Sequence, residues 1–457
     1  MERRHSRSPL GLALVMTASL LYACSGGGAP RAASEGPGPT RQPPGESPRQ
    51  PRTAPGATAG ADLGTAATSP TARQIARLEL ALASNPNSGD SLLELGLALL
   101  QRVRETADPS LYPRAEEALD RARNLAPDDP LPIIGLGTLA LARHQFAQGL
   151  ELGRQALRLG PGLSTAQGVV VDALVELGRY PEALDAVQRM VDERPDLASF
   201  ARVSYVRELY GDLPGALDAM RRAVQAGGSA SENNAYVIVL YGNLLALSGR
   251  RVESAQAYTA ALAAVPDFPA ALAGQGRLAV AAGDLPTALA RFARAAAIVP
   301  LPEYVIALGE TQEASGDVHA AADSYELARA ETALFQANGV VVDLELALFE
   351  ADHGSAATAL TLAQAAYADR PTLRAADVLA WALFKNGRLS EARRMSAEAL
   401  RLGTQDPVLL YHAGVIAAAA LDKRDAIADL GAALALDPGF SPTAVVAARR
   451  LLASLAG

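Results

Sequence analysis

The chain has 457 residues, which is room for two or three ordinary domains, and its 49% hydrophobic but only 5% aromatic content, rich in Ala and Leu, predicts an all-α protein. Its formal net charge is −8 at pH 7, and only two lysines are present, Lys385 and Lys423. Because a phosphate backbone is bound by clustered Lys and Arg, this composition argues against nucleic-acid binding.

The N-terminus has the pattern of a signal peptide. Residues 1–8 are basic and polar, and residues 9–23 form a largely apolar run that is too short to span a bilayer comfortably. The run ends in Leu21-Tyr22-Ala23-Cys24, which resembles the bacterial lipobox, whose cysteine receives lipid. The resemblance implies a lipoprotein-type signal peptide over residues 1–23, cleavage before Cys24, and acylation of Cys24 by chains such as palmitate.

Two other interpretations of this segment stay open: an ordinary secretory peptide that leaves Cys24 as a free thiol, or an N-terminal helix that is retained. Since Cys24 is the single cysteine, no intramolecular disulfide or thiolate zinc cage is expected. The lipobox resemblance implies a lipid-anchored protein of the cell envelope. Because Ser25 rather than Asp follows the cysteine, it implies the outer membrane, facing the periplasm, if the cell is Gram-negative.

Residues 24–70 are predicted to be a disordered tether. Residues 25–70 contain nine Pro and nine Gly but almost no Leu, Ile, Val or aromatic residue. Such a stretch buries too little apolar surface to offset its conformational entropy.

From residue 71 onward the sequence repeats with a period of about 34 residues. Pro127, Pro161 and Pro195 are 34 residues apart, as are Pro266 and Pro300. A second marker is a glycine that falls at Gly178, Gly211, Gly249, Gly283, Gly316, Gly354 and Gly387. Ten units begin near residues 89, 130, 164, 197, 235, 269, 302, 340, 373 and 407. Apolar residues at i, i+3, i+4 and i+7 predict two short amphipathic helices in each unit.

The units resemble the tetratricopeptide repeat. In residues 269–300, Leu272, Gly276, Ala288 and Phe292 occupy its consensus places. Runs such as Ala380-Trp381-Ala382-Leu383 also resemble a bacterial tetratricopeptide family of undefined role.

The resemblance implies an all-α fold, an α-solenoid or superhelix of about ten helix-turn-helix hairpins with a capping C-terminal helix. We expect the solenoid to cover residues 71–457. It divides into a half unit at 71–86, ten units at 89–438 and a cap helix at 442–455.

No pattern for catalysis, a metal or a cofactor is found in the sequence. The histidines after His5 fall in different units, mostly at turns, where solvated or capping side chains are expected. Gly135 and Gly137 lie inside helices rather than in a phosphate loop. The sequence therefore predicts no enzyme, no metal site and no cofactor.

In this repeat class the first helix of each hairpin lines a concave groove, through places 2, 5, 9 and 12 of the unit. The resemblance thus implies the following binding residues: Asp172, Tyr205, Glu208, Tyr236, Asn243, Arg277, Glu310, Glu313, Trp381, Phe384 and Tyr411. Exposed aromatics there are suited to anchoring an extended peptide. Equally, Trp381 and Phe384 are suited to packing against the neighbouring hairpin.

Two functions fit this pattern. The first is a membrane-tethered scaffold or adaptor that binds proteins or peptides in the bacterial cell envelope, without catalysis. The alternative is a cell-wall or glycan-binding accessory protein of an envelope enzyme, in which a sugar would stack on Trp381 or Tyr411.

Overall fold

A computed structural model describes residues 69–227 and 232–456, so the predicted signal peptide, Cys24 and nearly all of the predicted tether lie outside the described residues. Within this range the chain forms helices and no strand. The helices are α1 Pro70–Ser84, α2 Gly89–Thr106, α3 Tyr112–Leu125, α4 Pro130–Ala142, α5 Phe146–Leu159, α6 Ser164–Glu176, α7 Tyr180–Glu193, α8 Leu197–Leu209, α9 Leu213–Ala226, α10 Glu232–Leu247, α11 Arg251–Ala264, α12 Pro269–Ala282, α13 Leu285–Ile298, α14 Pro302–Ala314, α15 Val318–Ala337, α16 Asp343–His353, α17 Ala356–Asp369, α18 Leu373–Lys385, α19 Leu389–Ala399, α20 Pro407–Ala419, α21 Lys423–Leu436 and α22 Ala444–Ala456, with a 3-10 turn at Pro109–Leu111.

Helices α2 to α21 form ten consecutive hairpins, each packed against the next, which confirms the predicted all-α solenoid of about ten units. Helix α1 packs on the first hairpin. The predicted C-terminal cap is also confirmed, because Ala444, Val445 and Ala448 of α22 are buried against the last hairpins. No helix among the described residues combines the length and the apolar character needed to cross a membrane.

The sixth hairpin, α12 and α13, shows how the sequence folds a unit. Asp284 starts α13 by accepting a hydrogen bond from the backbone N–H of Thr287 at 3.1 Å, a typical N-cap. The ring of Phe292 is buried against α12 at Gly276, where a Cβ would lie 2.8 Å from the ring. A small residue at this place therefore lets the two helices approach closely.

Residues inserted between units mostly lengthen helices. The residues before 340 extend α15 to 20 residues, and α2 has 18 residues, compared with 13 or 14 in most of the others. The stack of hairpins continues past both, as expected for a repeat protein in which each unit contacts only its neighbours.

The superhelix also contacts itself, which the repeat pattern does not predict. The turns of the second, third and fourth hairpins meet the loops that precede the eighth, ninth and tenth. The N–H of Val341 donates to the carbonyl of Arg143 at 3.0 Å, and the N–H of Leu373 donates to the Tyr180 hydroxyl at 2.9 Å. We call this line of contacts, between residues 143–145, 178–180 and 209–211 and residues 339–341, 371–373 and 403–404, the inter-turn seam.

Glycine is required where the seam is tightest. Gly178 and Gly211 have φ values of 71° and 73°, in the left-handed region that glycine adopts without strain. A Cβ at Gly178 would lie 2.7 Å from the carbonyl oxygen of Pro371. At Gly211 it would lie 2.2 Å from the carbonyl oxygen of Gly403. These two turns therefore need glycine both for the backbone conformation and for the contact.

Candidate functional site

The eleven predicted groove residues lie on the first helices of their hairpins, but none of them is exposed. Four are buried: Asp172, Glu310, Trp381 and Tyr411. The other seven are half-buried: Tyr205, Glu208, Tyr236, Asn243, Arg277, Glu313 and Phe384. The concave side is therefore much more covered than an open groove.

Of the two interpretations left open for Trp381, packing against the neighbouring hairpin is the one that the structure bears out, and the expectation that Tyr411 faces a ligand is wrong. Trp381 is fully buried, donates its indole N–H to Asp352 at 2.8 Å, and stacks on His412 with ring centroids 4.2 Å apart. Tyr411 is 2% exposed and contacts Phe440 in the segment that leads into α22. Residues of the eighth to tenth hairpins enclose Trp381, and Phe440 covers Tyr411, so both rings belong to the core and a sugar has no access to stack on them.

Asp172 and Glu310 are likewise unavailable to a partner. Both oxygens of Asp172 accept hydrogen bonds from Arg202, at 2.8 and 2.7 Å, in a buried bidentate pair that joins α6 to α8. Glu310 accepts from the Ser441 hydroxyl at 3.3 Å and lies 3.5 Å from His353. Sequence periodicity places these carboxylates on the inner face correctly, but it cannot show that each already has partners inside the protein.

The histidines differ from expectation as well. His353 and His412 have buried side chains rather than solvated ones. The Nδ1 atom of His412 lies 2.9 Å from Asp377 in a buried pair between α18 and α20. Within the described residues, no group of three or more His, Cys, Asp and Glu side chains is placed to hold a metal ion.

Four of the half-buried residues meet at one cavity. Tyr205, Glu208, Asn243 and Arg277, from the first helices of the fourth, fifth and sixth hairpins, line a cavity of about 150 Å³. The later part of the chain closes it with Arg374, Asp406, Pro407, Val408, Asp437 and Phe440. Because one water needs roughly 10–15 Å³ by the same measure, this space admits a side chain or a chain end, not a folded domain.

Most of the cavity wall is apolar. It is formed by Met220, Leu240, Leu244, Leu247, Leu278, Val408 and Phe440. Two groups donate to the side-chain oxygen of Asn243: the Tyr258 hydroxyl at 2.7 Å and the guanidinium of Arg277 at 2.9 Å. Arg374 lies 3.8 Å from Asp406. The cavity thus joins an aliphatic surface to a small set of fixed charges, a common build for a binding site.

Glu208 is the least satisfied of these charges. Its carboxylate makes no hydrogen bond and no ion pair within 4 Å to any residue in the described part of the chain. Burial and the negative charge of Asp406 raise the pKa of Glu208 to about 7, although Arg374 opposes the shift. Burial also raises the pKa of Asp437. At neutral pH the cavity therefore disfavours the ionised form of Glu208.

The sequence reasoning missed the residues that close the cavity. Arg374 lies at place 2 of the ninth unit, so the register that gave Trp381 and Phe384 contained a signal for it. Asp406, Asp437 and Phe440 lie just outside helices α20 and α21. No periodic signal marks such loop residues, and they reach the cavity because the superhelix returns to the fourth to sixth hairpins.

Comparison with known families identifies the repeat. Residues 134–198, 171–231 and 241–301 match the family described as tetratricopeptide repeat. These matches, together with the ten consecutive hairpins, confirm the predicted repeat type. A comparison with curated protein sequences gives no significant match.

Solved structures of similar build have low identity to this chain. A human IFIT1 dimer with m7Gppp-AAAA is 16% identical over 73% of this chain and 78% of that chain, with a TM-score of 0.46. A thermophilic repeat protein of Thermus thermophilus is 20% identical over 42% of this chain and 97% of that chain, with a TM-score of 0.37. At these values the likenesses say nothing about ligands.

Proposed function

We propose that this chain, a tetratricopeptide repeat protein, is a non-catalytic scaffold that holds a protein or peptide partner by inserting part of it into the cavity. The observation that carries the proposal is the convergence of Tyr205, Glu208, Asn243 and Arg277 on one partly enclosed space. Proteins of this repeat type generally act as scaffolds, and the cavity offers both apolar surface and fixed polar groups for recognition.

The composition of the cavity supports binding rather than catalysis. Its lining contains no His, Cys, Ser or Lys among the described residues, so its nucleophiles of covalent catalysis are limited to its carboxylates and the two tyrosines, Tyr205 and Tyr258. It also disfavours a nucleic acid as the ligand, because three carboxylates outnumber two guanidinium groups at the site.

Photo-crosslinking tests this site directly. With the half-buried lining residue Leu247 replaced by p-benzoylphenylalanine in the native cell, we expect a discrete protein adduct on irradiation. p-Benzoylphenylalanine introduced in place of Ala290, on the exposed face of α13, should give no adduct. Filling the cavity with Ala246→Trp should abolish the adduct, whereas Ala290→Trp should leave it. An adduct that survives Ala246→Trp would contradict the proposal.

The scaffold would act at a membrane. The lipobox-like run ending in Cys24 supports acylation there, and the Pro- and Gly-rich residues 25–70 supply a tether that lets the solenoid work away from its anchor. Such a protein would belong to the cell envelope, at the outer membrane facing the periplasm in a Gram-negative cell.

Cell fractionation of a Cys24→Ser variant tests the anchor. The parent is expected in the membrane pellet with labelled palmitate attached, and the variant in the soluble fraction without it. A variant that stays in the pellet as the parent does would show that lipid at Cys24 is not the anchor.

A further inference from the structure

The cavity contains an aliphatic wall beside a carboxylate that lacks a partner. Leu240, Leu247 and Leu278 contribute to the wall. The carboxylate of Glu208, which lines the same space, makes neither a hydrogen bond nor an ion pair within 4 Å to a described residue. Glu208 is half-buried, so its carboxylate is only partly shielded from water, and a cation that reaches it in the cavity would stabilise its ionised form.

Resting on the proposed function, we propose that the part of the partner that enters the cavity is a basic side chain, arginine or lysine. Its aliphatic stem packs against the leucines, and its cationic head pairs with Glu208. Arginine and lysine are the two common side chains that combine a long apolar stem with a charged end.

The charges that line the cavity favour one added positive charge. Glu208, Asp406 and Asp437 supply three carboxylates, and Arg277 and Arg374 supply two guanidinium groups. A single monovalent cation therefore balances the site when all five groups are ionised. Without the cation, burial and Asp406 keep part of Glu208 protonated near neutral pH by raising its pKa.

A carboxylate ligand fits less well, because the two arginines already have partners. Arg277 donates to Asn243 at 2.9 Å, and Arg374 lies 3.8 Å from Asp406. An anion placed here would join three carboxylates in a space of about 150 Å³. A purely apolar side chain would cover the wall and displace water from the half-buried Glu208 without giving its carboxylate a partner, which is unfavourable.

Binding should depend on pH in a defined direction. Several titratable or charged groups share the cavity with Glu208. They are Asp406 and Arg374, which influence its pKa directly, Tyr205 on its own helix, and Arg277 and Asp437 elsewhere in the lining. A cation binds the ionised form of Glu208, so affinity should rise between pH 6 and pH 8. A neutral ligand should not show this rise.

The test uses blocked pentapeptides with the central residue arginine, lysine, citrulline, norleucine or glutamate between alanines, titrated into the full chain by calorimetry. We expect arginine and lysine peptides to bind at least tenfold more tightly than citrulline and norleucine peptides, and the glutamate peptide not to bind. Citrulline has the shape of arginine without its charge, so the ratio isolates the charge. In Glu208→Gln the preference for arginine over citrulline should disappear.

The controls separate this inference from the proposed function. Ala246→Trp should abolish peptide binding, and Ala290→Trp should not. Equal binding of arginine and citrulline peptides, tighter binding of the glutamate peptide, or no binding of the arginine peptide would overturn the basic-side-chain inference. If Ala246→Trp still abolished the photo-adduct formed at position 247 in that case, the cavity would remain the partner site, but its ligand would have another chemistry. Loss of that dependence would overturn the proposed function.

Discussion

The glycine turns of the third and fourth hairpins contrast with those of the fifth and sixth. Gly178, Gly211, Gly249 and Gly283 all have φ between 71° and 77° and occupy the same place in the repeat. A Cβ at the first two would collide with loops of the later turn of the superhelix, whereas a Cβ at the other two would meet open space. Residues that are equivalent in a repeat can therefore have different tertiary roles.

Alanine substitution at these turns should give the largest effect. Gly211→Ala and Gly178→Ala are expected to lower the free energy of unfolding by about 3 kcal/mol, since the collision in the seam adds to the backbone strain of roughly 1–2 kcal/mol. Gly249→Ala and Gly283→Ala should lose only the strain, about 1 kcal/mol. Urea denaturation followed by circular dichroism measures all four. Equal losses would show that the seam contributes nothing at these turns.

The hydrogen bond from Leu373 to Tyr180 gives an intermediate effect. Tyr180→Phe removes the hydroxyl that accepts this N–H across the seam at 2.9 Å, so a buried donor is left without its acceptor, at a cost of about 2 kcal/mol. Tyr210→Phe is the matched control, because Tyr210 is 38% exposed. Thermal unfolding should show a clear loss for the first variant and nearly none for the second. A loss of similar size in both would mean that the cross-seam bond adds no stability.

The smallest effect is expected at Glu208. Its environment combines residues of the fourth hairpin with Arg374 and Asp406 from the later part of the superhelix. Its pKa of about 7 lies above its ordinary value of 4.5, so the folded chain binds more protons than the unfolded chain between these values, and stability falls as the pH rises through that window. Glu208→Gln should therefore be more stable than the parent at pH 8 by about 1 kcal/mol, after allowance for solvent screening, and gain nothing at pH 4.

Chemical denaturation of both proteins from pH 4 to pH 8 measures this difference. The exposed Glu182, whose pKa is lowered by the hydrogen bond from Arg179, provides the control as Glu182→Gln. That variant should show no gain at pH 8. If the difference in the free energy of unfolding between Glu208→Gln and the parent did not change from pH 4 to pH 8, the environment described for Glu208 would be contradicted.

The sequence predicted part of the candidate site. Tyr205, Glu208, Asn243 and Arg277 were found from the register of the repeat, because side chains at a fixed place in successive hairpins share one face of the stack. The same register wrongly presented Tyr411 as available to a ligand, and it left open whether Trp381 lies in the groove or in the core. Tyr411 is covered by Phe440 in the segment that leads into α22, and Trp381 is enclosed by Asp352 and His412 of the neighbouring hairpins.

The sequence by itself determined the hairpins, because their caps, small-residue contacts and apolar periodicity all act within about one repeat length. Only the tertiary structure decided the inter-turn seam and the cavity. Both depend on small rotations between neighbouring units, which add up over six hairpins before Tyr180 meets Leu373 or Glu208 meets Asp406. Contacts between residues so far apart in the chain leave no periodic trace in the sequence.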